Sequence, residues 1–158
     1  MSFCYDFFES PVGPLYLLLR DGQLARVSIM RAPSGLKRGM APQALKEEFA
    51  RYFEGGLMAF KYPLAPLEGT AFERGIWLSL REIPYGQTRS YKWLAARAGH
   101  PGAARAAGRA LAKNPLPIVL PCHRVIESDG SLGGYSPDLD IKRRLLEAEY
   151  YHSIRAGK

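Results

Sequence analysis

The feature that most constrains the fold of this 158-residue chain is a pair of short helices joined by a tight turn. Ser90 is a good N-cap for a helix over residues 91–98. After a glycine-containing turn, a second helix is expected over residues 103–113, and Asn114-Pro115 stops it. Two short helices connected in this way are typical of a helix-turn-helix unit.

The second of these helices is unusual because residues 103–108 read Ala-Ala-Arg-Ala-Ala-Gly. One interpretation is a helix that packs tightly on its neighbour. The other is a helix that approaches a ligand closely and projects one long side chain, Arg105. Major-groove recognition helices usually carry several long polar side chains, which this helix lacks. It suits a narrow groove, where Arg105 could enter the base stack in place of an extruded base.

The net charge of +7 is unevenly distributed. No acidic residue lies between Glu82 and Glu127, whereas seven basic residues do. They are Arg89, Lys92, Arg97, Arg105, Arg109, Lys113 and Arg124. A charge run is often only a solvated face, but a long stretch without one acid favours a polyanionic partner.

The N-terminal part predicts a small sheet followed by a helix. Apolar runs at 3–8, 15–19 and 24–29 are separated by turn signals, which indicates strands and hairpins. An amphipathic pattern over residues 43–54 predicts a helix. A stretch with two prolines and a glycine follows at 61–69, and we place the domain boundary there, giving domains 1–68 and 69–158.

The C-terminal part predicts mostly helices. Thr70 and Glu73 form a capping box before an apolar stripe. Ser136-Pro137 is expected to start the last helix, with Leu139, Leu145 and Leu146 facing the core and Ile141 as a further candidate for that face. The fold class predicted from these elements is α+β.

Cellular location is predicted from the N-terminus and the cysteines. Asp6 and Glu9 interrupt any signal peptide, and the aliphatic run at 15–19 is too short to span a bilayer. We therefore expect a cytoplasmic protein with no membrane contact. Cys4 and Cys122 are expected to be reduced, and no metal site or cofactor is predicted.

The segment Pro121–Arg124 places a thiol, an imidazole and a guanidinium side by side. Cysteine is a useful nucleophile only as the thiolate, and nearby cationic or basic groups favour that form. A lone cysteine followed by histidine is more often structural than catalytic. The assignment of Cys122 as a nucleophile therefore depends on the spacing of the motifs around it.

That spacing resembles the O6-alkylguanine-DNA alkyltransferases, also called methylated-DNA–protein-cysteine methyltransferases. The similar stretch runs from Phe72 to Glu149. The motifs that carry the resemblance are Arg105–Gly108, Asn114–Ile126, Gly133–Ser136, Lys142 and Leu145–Glu149. The resemblance implies an N-terminal RNase-H-like β-sheet domain and a C-terminal winged helix-turn-helix domain.

The resemblance also implies roles for five residues. Cys122 would accept the alkyl group. His123 would act through a water as its base, and Glu149 would orient His123. Tyr91 would crowd the target phosphate and supply a proton to the departing guanine. Asn114 would tie the recognition helix to the active-site turn.

Two further sets of residues are predicted at the site. Residues expected to contact DNA are Ser90, Tyr91, Ala104, Arg105, Ala106, Gly108, Arg109 and Arg124. Residues expected to form the substrate pocket are Pro117, Val125, Tyr135, Ser136 and Pro137. The resemblance implies that the carbonyls of Cys122 and Val125 would accept from the guanine amine. Pro137 stands where relatives commonly have glycine, and it is either a helix start or the lip of the pocket.

The predicted function is direct-reversal DNA repair by a protein that acts once. An alkyl group would move irreversibly from guanine O6, with thymine O4 as a further candidate, to Cys122. The partner would be double-stranded DNA, bound through the minor groove by a monomer with the target base flipped out. Alternatives are a non-catalytic binder of alkylated DNA, a basic winged-helix module and a thiol hydrolase. Cys122 argues against the first, since such binders lack the cysteine.

Overall fold

A computed structural model describes residues 2–135 and 138–156. The chain divides into two compact units. The first comprises the residues up to Leu67 together with Pro115–Pro117, and the second comprises Glu68–Asn114 and the chain from Ile118 onward. The sequence did not predict that residues 115–117 would group with the N-terminal unit. A backbone hydrogen bond of 2.9 Å from the Val27 amide to the Pro115 carbonyl ties this segment to the sheet.

The first unit contains an antiparallel sheet of three strands in the order β1 (Phe3–Ser10), β2 (Gly13–Arg20) and β3 (Gln23–Ile29). Residues alternate between faces, so β2 buries Leu15, Leu17 and Leu19 on one side. Helix α1 (Gln43–Glu54) buries its apolar face, and Gly55 ends it in the left-handed conformation.

Asp6 of β1 is a charged residue in the core of this unit. It is 1% exposed, and its carboxylate accepts from the Ala41 amide at 2.8 Å. Lys46 lies 2.8 Å from the same carboxylate and Arg38 lies 3.3 Å from it. These contacts hold residues 31–42, a stretch with almost no regular structure, against β1.

The second unit begins with helix α2 (Ala71–Ser79), which starts at the predicted capping box. The Thr70 hydroxyl accepts from the Glu73 amide, and the Glu73 carboxylate accepts from the Thr70 amide. A 3-10 turn at Leu80–Glu82 follows. Helices α3 (Tyr91–Arg97) and α4 (Ala104–Ala112) form the helix-turn-helix pair.

The rest of the second unit carries the sequence motifs. A 3-10 turn at Cys122–Arg124 leads into β5 (Val125–Ile126), which pairs in parallel with β4 (Arg89–Ser90). Helix α5 spans Leu139–Ala156. Leu139 does not face the core as predicted, because it is 47% exposed.

The buried face of α5 includes two charged residues, Lys142 and Glu149, alongside Ile141 and Leu145. A sheet unit followed by a helical unit confirms the α+β fold class. No helix within the described ranges is long and apolar enough to cross a membrane.

Candidate active site

The turn that carries Cys122 and His123 is set by the segment between α4 and β5. The Asn114 side chain donates to the Leu120 carbonyl at 2.8 Å, which links the end of α4 to this turn. Ile118 has a φ of 76°, a left-handed value that β-branched residues rarely adopt. Both Cys122 and His123 are buried in this 3-10 turn, whereas an extended strand would point their side chains to opposite faces.

His123 and Arg124 share one carboxylate. The His123 Nε2 atom lies 2.6 Å from Glu149 Oε2, and Arg124 Nε donates to Glu149 Oε1 at 2.8 Å. Glu149 and His123 are 1% and 0% exposed. The Gly86 amide also points at Glu149 Oε1, at 3.3 Å. Gly86 has a φ of 81°, and a side chain there would overlap the Ser153 hydroxyl.

The protonation of this group follows from its surroundings. Burial lowers the pKa of His123, and the nearby Glu149 only partly opposes this, so the imidazole is neutral near pH 7. Burial alone would raise the pKa of Glu149, but the hydrogen bonds from His123 and Arg124 and the charge of Arg124 hold the pKa of this carboxyl well below its usual range.

A neutral imidazole beside a carboxylate must place its proton on Nε2. The Nδ1 atom therefore carries the lone pair that can accept a proton. Nδ1 is buried, and no described residue forms a hydrogen bond with it. The imidazole of His123 and the thiol of Cys122 are therefore not joined by a direct hydrogen bond.

Burial is the largest influence on the Cys122 thiol and raises its pKa to about 11. A hydrogen bond from Asn114 and the charge of Lys142 act in the opposite direction. The cationic neighbour in the sequence, Arg124, is not among these stabilising groups. Cys122 therefore depends on Asn114, Lys142 and a base for its thiolate form.

A cavity of about 490 Å³ opens beside Cys122. Its size lies in the range of roughly 300–1,000 Å³ that is typical of small-ligand sites. The described residues that line it are Tyr91, Ala104, Arg105, Gly108, Leu111, Ala112, Cys122, Glu127, Gly134 and Tyr135. All belong to the second unit.

Tyr91 and Tyr135 bring two phenols to this cavity. Burial, then Glu127, raises the pKa of Tyr91, and a backbone hydrogen bond with Gly134 acts against them. Burial also raises the pKa of Tyr135 well above its usual value, and its hydroxyl has no hydrogen-bond partner within the described ranges. Both phenols are therefore protonated at neutral pH and can donate.

Lys142 holds the loop beside the cavity. Its ammonium donates to the carbonyls of Val125 at 2.7 Å, Gly134 at 3.0 Å and Leu132. Burial lowers its pKa to about 8, although Cys122 and Glu127 act to raise it. The ammonium also lies 5.9 Å from the centre of the Tyr91 ring. One buried cation thus organises the chain on both sides of residues 126–131.

Three sequence-based expectations need correction. Arg124 cannot contact DNA as predicted, because it is 5% exposed and its guanidinium is held by Glu149 and by the Ile83 carbonyl. Pro117 belongs to the 115–117 segment and does not line the cavity. Val125 does not line it either, and its side chain is fully buried.

The carbonyls assigned to the guanine amine already accept protein hydrogen bonds. The Val125 carbonyl accepts from Lys142, and the Cys122 carbonyl accepts from the Val125 amide. Each retains one lone pair for a ligand. Ser136 and Pro137, the other two predicted pocket residues, lie outside the described residues.

The predicted DNA-contacting residues of the helix-turn-helix pair form a surface of small and basic side chains. Arg105 and Arg109 are exposed on α4. Ala104, Ala106 and Gly108 are half-buried, as are Ser90 and Tyr91 at the start of α3. Ser90 also caps α3, since its hydroxyl accepts from the Trp93 amide at 3.0 Å.

Sequence reasoning missed the cavity residues Glu127, Leu111 and Ala112 and the role of Lys142. Glu127 ends the acid-free stretch, and that position was the only signal it carried. Lys142 and Glu149 both occur on a helix rich in charged residues, which resembles a solvated surface. Within the described ranges, no three His, Cys, Asp or Glu side chains cluster as metal ligands.

Comparisons with known proteins identify the family of this chain. A profile described as the DNA-binding domain of 6-O-methylguanine DNA methyltransferase matches residues 71–151. The methylated-DNA–protein-cysteine methyltransferase of Methanosarcina acetivorans is 44% identical over 92% of this chain and 97% of its own length. That of Haemophilus influenzae is 40% identical over 97% of this chain and 89% of its own length.

A solved structure is similar over most of its length. The Mycobacterium tuberculosis OGT in complex with DNA has a TM-score of 0.88 and 38% identity, covering 94% of this chain and 93% of that one. The fold and the cysteine-centred site thus define a DNA-binding, cysteine-dependent transferase. This chain belongs to the methylated-DNA–protein-cysteine methyltransferase family.

Proposed function

We propose that this protein repairs O6-alkylguanine in double-stranded DNA by taking the alkyl group onto Cys122. The observation that carries the proposal is the position of Cys122. Cys122 lines a cavity of about 490 Å³ together with Tyr91 and Arg105. The next residue is His123, which is bonded to Glu149. A thiol, a base and a cavity of base size together favour transfer chemistry over binding alone.

The transfer breaks one bond and forms one. The Cys122 sulfur bonds to the alkyl carbon, the bond from that carbon to guanine O6 breaks, and its electron pair stays on the purine. The thiol proton passes through a water to Nδ1 of His123 and then to solvent. Tyr91 gives a proton to the purine and regains one from solvent. The thioether has no easy return path, so each molecule acts once.

The His123–Glu149 pair supports this route because it fixes which nitrogen is basic. Glu149 holds the proton on Nε2, which leaves Nδ1 free to accept. When the thiol proton arrives, the adjacent carboxylate stabilises the imidazolium. Arg124 keeps the same carboxylate ionised and in place.

Access to the alkylated atom requires the guanine to leave the duplex, at a cost of a few kcal/mol. An O6-alkylated guanine pairs poorly, which lowers this cost. The bare surface of α4 suits the minor groove, and Arg105, which also lines the cavity, is placed to fill the gap in the stack. We propose that the protein binds as a monomer, and that O4-alkylthymine is a second substrate to test. A cytoplasmic location remains a prediction.

The experiment is intact mass spectrometry before and after mixing with duplex DNA that contains O6-methylguanine. We expect Cys122 to gain one methylene. Cys122→Ala should abolish the gain while keeping the fold and DNA affinity, and Cys4→Ala is the matched control that should still accept the group. A Cys122→Ala protein that demethylates the duplex would contradict the proposal. DNA binding by the wild type with no mass gain would favour the non-catalytic binder.

A further inference from the structure

The cavity beside Cys122 carries one acidic side chain among the described residues that line it, Glu127. The other lining residues are small, apolar or phenolic, apart from Cys122 itself and the exposed Arg105. An acid is unexpected in this place, because the cavity lies in the most basic part of the chain and faces a proposed polyanion. An acidic side chain usually caps a helix, pairs with a cation or stabilises a loop. The contacts of Glu127 show whether its carboxylate does any of these.

Those contacts leave the Glu127 carboxylate without a structural role. The backbone of Glu127 closes the turn that follows β5, since its amide donates to the Ser131 carbonyl at 2.9 Å and its carbonyl accepts from Gly130 at 3.0 Å. The side-chain bonds of that turn come instead from Asp129, whose carboxylate accepts from Ser131. Within residues 2–135 and 138–156, the Glu127 carboxylate forms no hydrogen bond or ion pair. Glu127 is exposed to solvent and also borders the cavity.

The carboxylate of Glu127 lies close to Gly133 in the loop that follows β5. A Cβ atom placed on Gly133 would lie 2.7 Å from the Tyr91 hydroxyl and 3.3 Å from Glu127 Oε2. The phenol and the carboxylate therefore flank the same point of the loop. Gly133, with a φ of 71°, is the residue type that tolerates both the conformation and this proximity.

The charge of Glu127 acts on the groups around the cavity. It contributes, after burial, to the raised pKa of Tyr91, and it opposes the lowering of the Lys142 pKa by burial. Two cations oppose it. Lys142 is 0% exposed and its ammonium is occupied by three carbonyls. Arg105 lies at the exposed side and, in the proposed function, moves into the base stack when DNA binds.

We propose that Glu127 selects the alkyl adduct by charge. The adduct carbon must reach the Cys122 sulfur, so any substituent beyond that carbon extends into the cavity that Glu127 borders. Neutral and cationic O6 substituents are accepted, whereas anionic substituents such as carboxymethyl are repelled. This inference rests on the proposed transfer to Cys122 and adds the class of substrate that the site prefers.

The test compares three duplexes that differ only in the O6 substituent of one guanine, namely methyl, carboxymethyl and 2-aminoethyl. Rates of adduct formation on Cys122 are followed by intact mass and expressed as ratios to methyl within each protein. In each case sulfur replaces guanine O6 on the same substituent carbon, so the chemistry is matched. In Glu127→Gln the carboxymethyl ratio should rise roughly three- to tenfold and the aminoethyl ratio should fall by a similar factor.

Two control variants separate charge from shape and net charge. Glu127→Asp keeps the carboxylate and should keep the order of the wild-type ratios. Glu147→Gln removes an exposed acid of α5 that does not line the cavity, and it should change neither ratio. Raising the salt concentration should bring the carboxymethyl and aminoethyl ratios of the wild type together, and this measurement needs no variant.

Unchanged ratios in Glu127→Gln, or a fall in the carboxymethyl ratio, would overturn the inference. The second result would mean that Lys142 sets the charge of the cavity. A wild type that gains no methyl group would contradict the proposed function itself. A wild type that gains methyl but shows no charge preference would contradict only the role of Glu127.

Discussion

Asp6 in the first unit and Glu149 in the second are both buried carboxylates with cationic partners. Each is 1% exposed, and the pKa of each is lowered although burial acts to raise it. For Asp6, hydrogen bonds from Lys46 and from the Ala41 and Phe7 amides outweigh burial and bring the pKa to about 2. For Glu149, His123 and Arg124 do the same.

The difference between them lies in their partners. Asp6 is bound by the cationic side chains of Lys46 and Arg38 and by backbone amides. Glu149 is bound by Arg124 and by an imidazole with a basic nitrogen that lies beside Cys122 in the chain. A lowered carboxylate pKa therefore does not identify an active site by itself. A partner that can exchange a proton, together with a cavity, does.

The largest effect that would break this comparison is expected from Glu149→Gln. The neutral amide cannot stabilise an imidazolium, and it presents a donor to Arg124. By analogy with acid-to-amide changes in nucleophile–histidine–acid sites, we expect the transfer rate to fall roughly 100-fold or more. Unpairing buried Arg124 should also lower the free energy of unfolding by about 3–5 kcal/mol.

The measurement for Glu149→Gln is the single-turnover rate of Cys122 methylation, corrected for the folded fraction. Glu149→Asp, which keeps the charge, should recover part of the rate. A Gln variant that is destabilised but reacts within tenfold of wild type would assign Glu149 the same purely structural role as Asp6.

The second largest effect is expected from Arg105→Ala. If Arg105 holds the extruded state, its loss should slow repair of duplex DNA roughly 10- to 100-fold, since a few kcal/mol of unstacking is no longer offset. Reaction with free O6-methylguanine base needs no extrusion and should change little. Arg109→Ala, from the same exposed surface of α4, should mainly weaken affinity and reduce its salt dependence. Equal losses of Arg105→Ala on both substrates would point to a structural role.

A third prediction concerns Asp6→Asn, which should lower the free energy of unfolding but leave the rate of Cys122 methylation nearly unchanged. A pKa lowered from 3.8 to about 2 is worth about 2 kcal/mol, reduced by screening because Arg38 is partly exposed. The folded state holds its proton less tightly than the unfolded chain. This stabilisation is therefore complete above about pH 4 and is lost as the pH falls toward 2.

Hydrogen exchange of β1 amides in wild type and Asp6→Asn at several pH values would check this. The difference between the two proteins should be largest at neutral pH and shrink below about pH 4. The rate of Cys122 methylation per folded molecule should stay within about twofold of the wild-type rate, as for a substitution that does not touch the active site. A larger loss would show that the polar contacts of the first unit also serve the reaction.

Local rules predicted much of this molecule from sequence. The hairpin turns, the Thr70 capping box and the two short helices follow from residue types at adjacent positions. The burial of Lys142, Glu149 and Arg124 could not be predicted in that way. Their partners are carbonyls and side chains that are distant in sequence. Only those contacts offset the free-energy cost of burying a charge. The resemblance to the family assigned Glu149 its place, whereas Glu127 and Asp6 matched no motif.

The smallest expected effect distinguishes two similar N-cap hydrogen bonds within the second unit. The Thr70 hydroxyl accepts from the Glu73 amide at 3.1 Å, and the Ser90 hydroxyl accepts from the Trp93 amide at 3.0 Å. Replacing either residue by alanine should lower the free energy of unfolding by about 1 kcal/mol, the usual value of an N-cap. Stability alone should therefore not distinguish the two variants.

DNA affinity should distinguish them, because Ser90 directly precedes Tyr91 on the predicted DNA surface and Thr70 lies outside it. A helix N-terminus with a hydroxyl is a ready phosphate contact. We expect Ser90→Ala to weaken duplex binding roughly two- to tenfold, the value of one neutral hydrogen bond, and Thr70→Ala to leave it unchanged. Fluorescence anisotropy with undamaged duplex, at a temperature where both variants are folded, measures this directly. Equal affinities would mean that Ser90, like Thr70, serves only its helix.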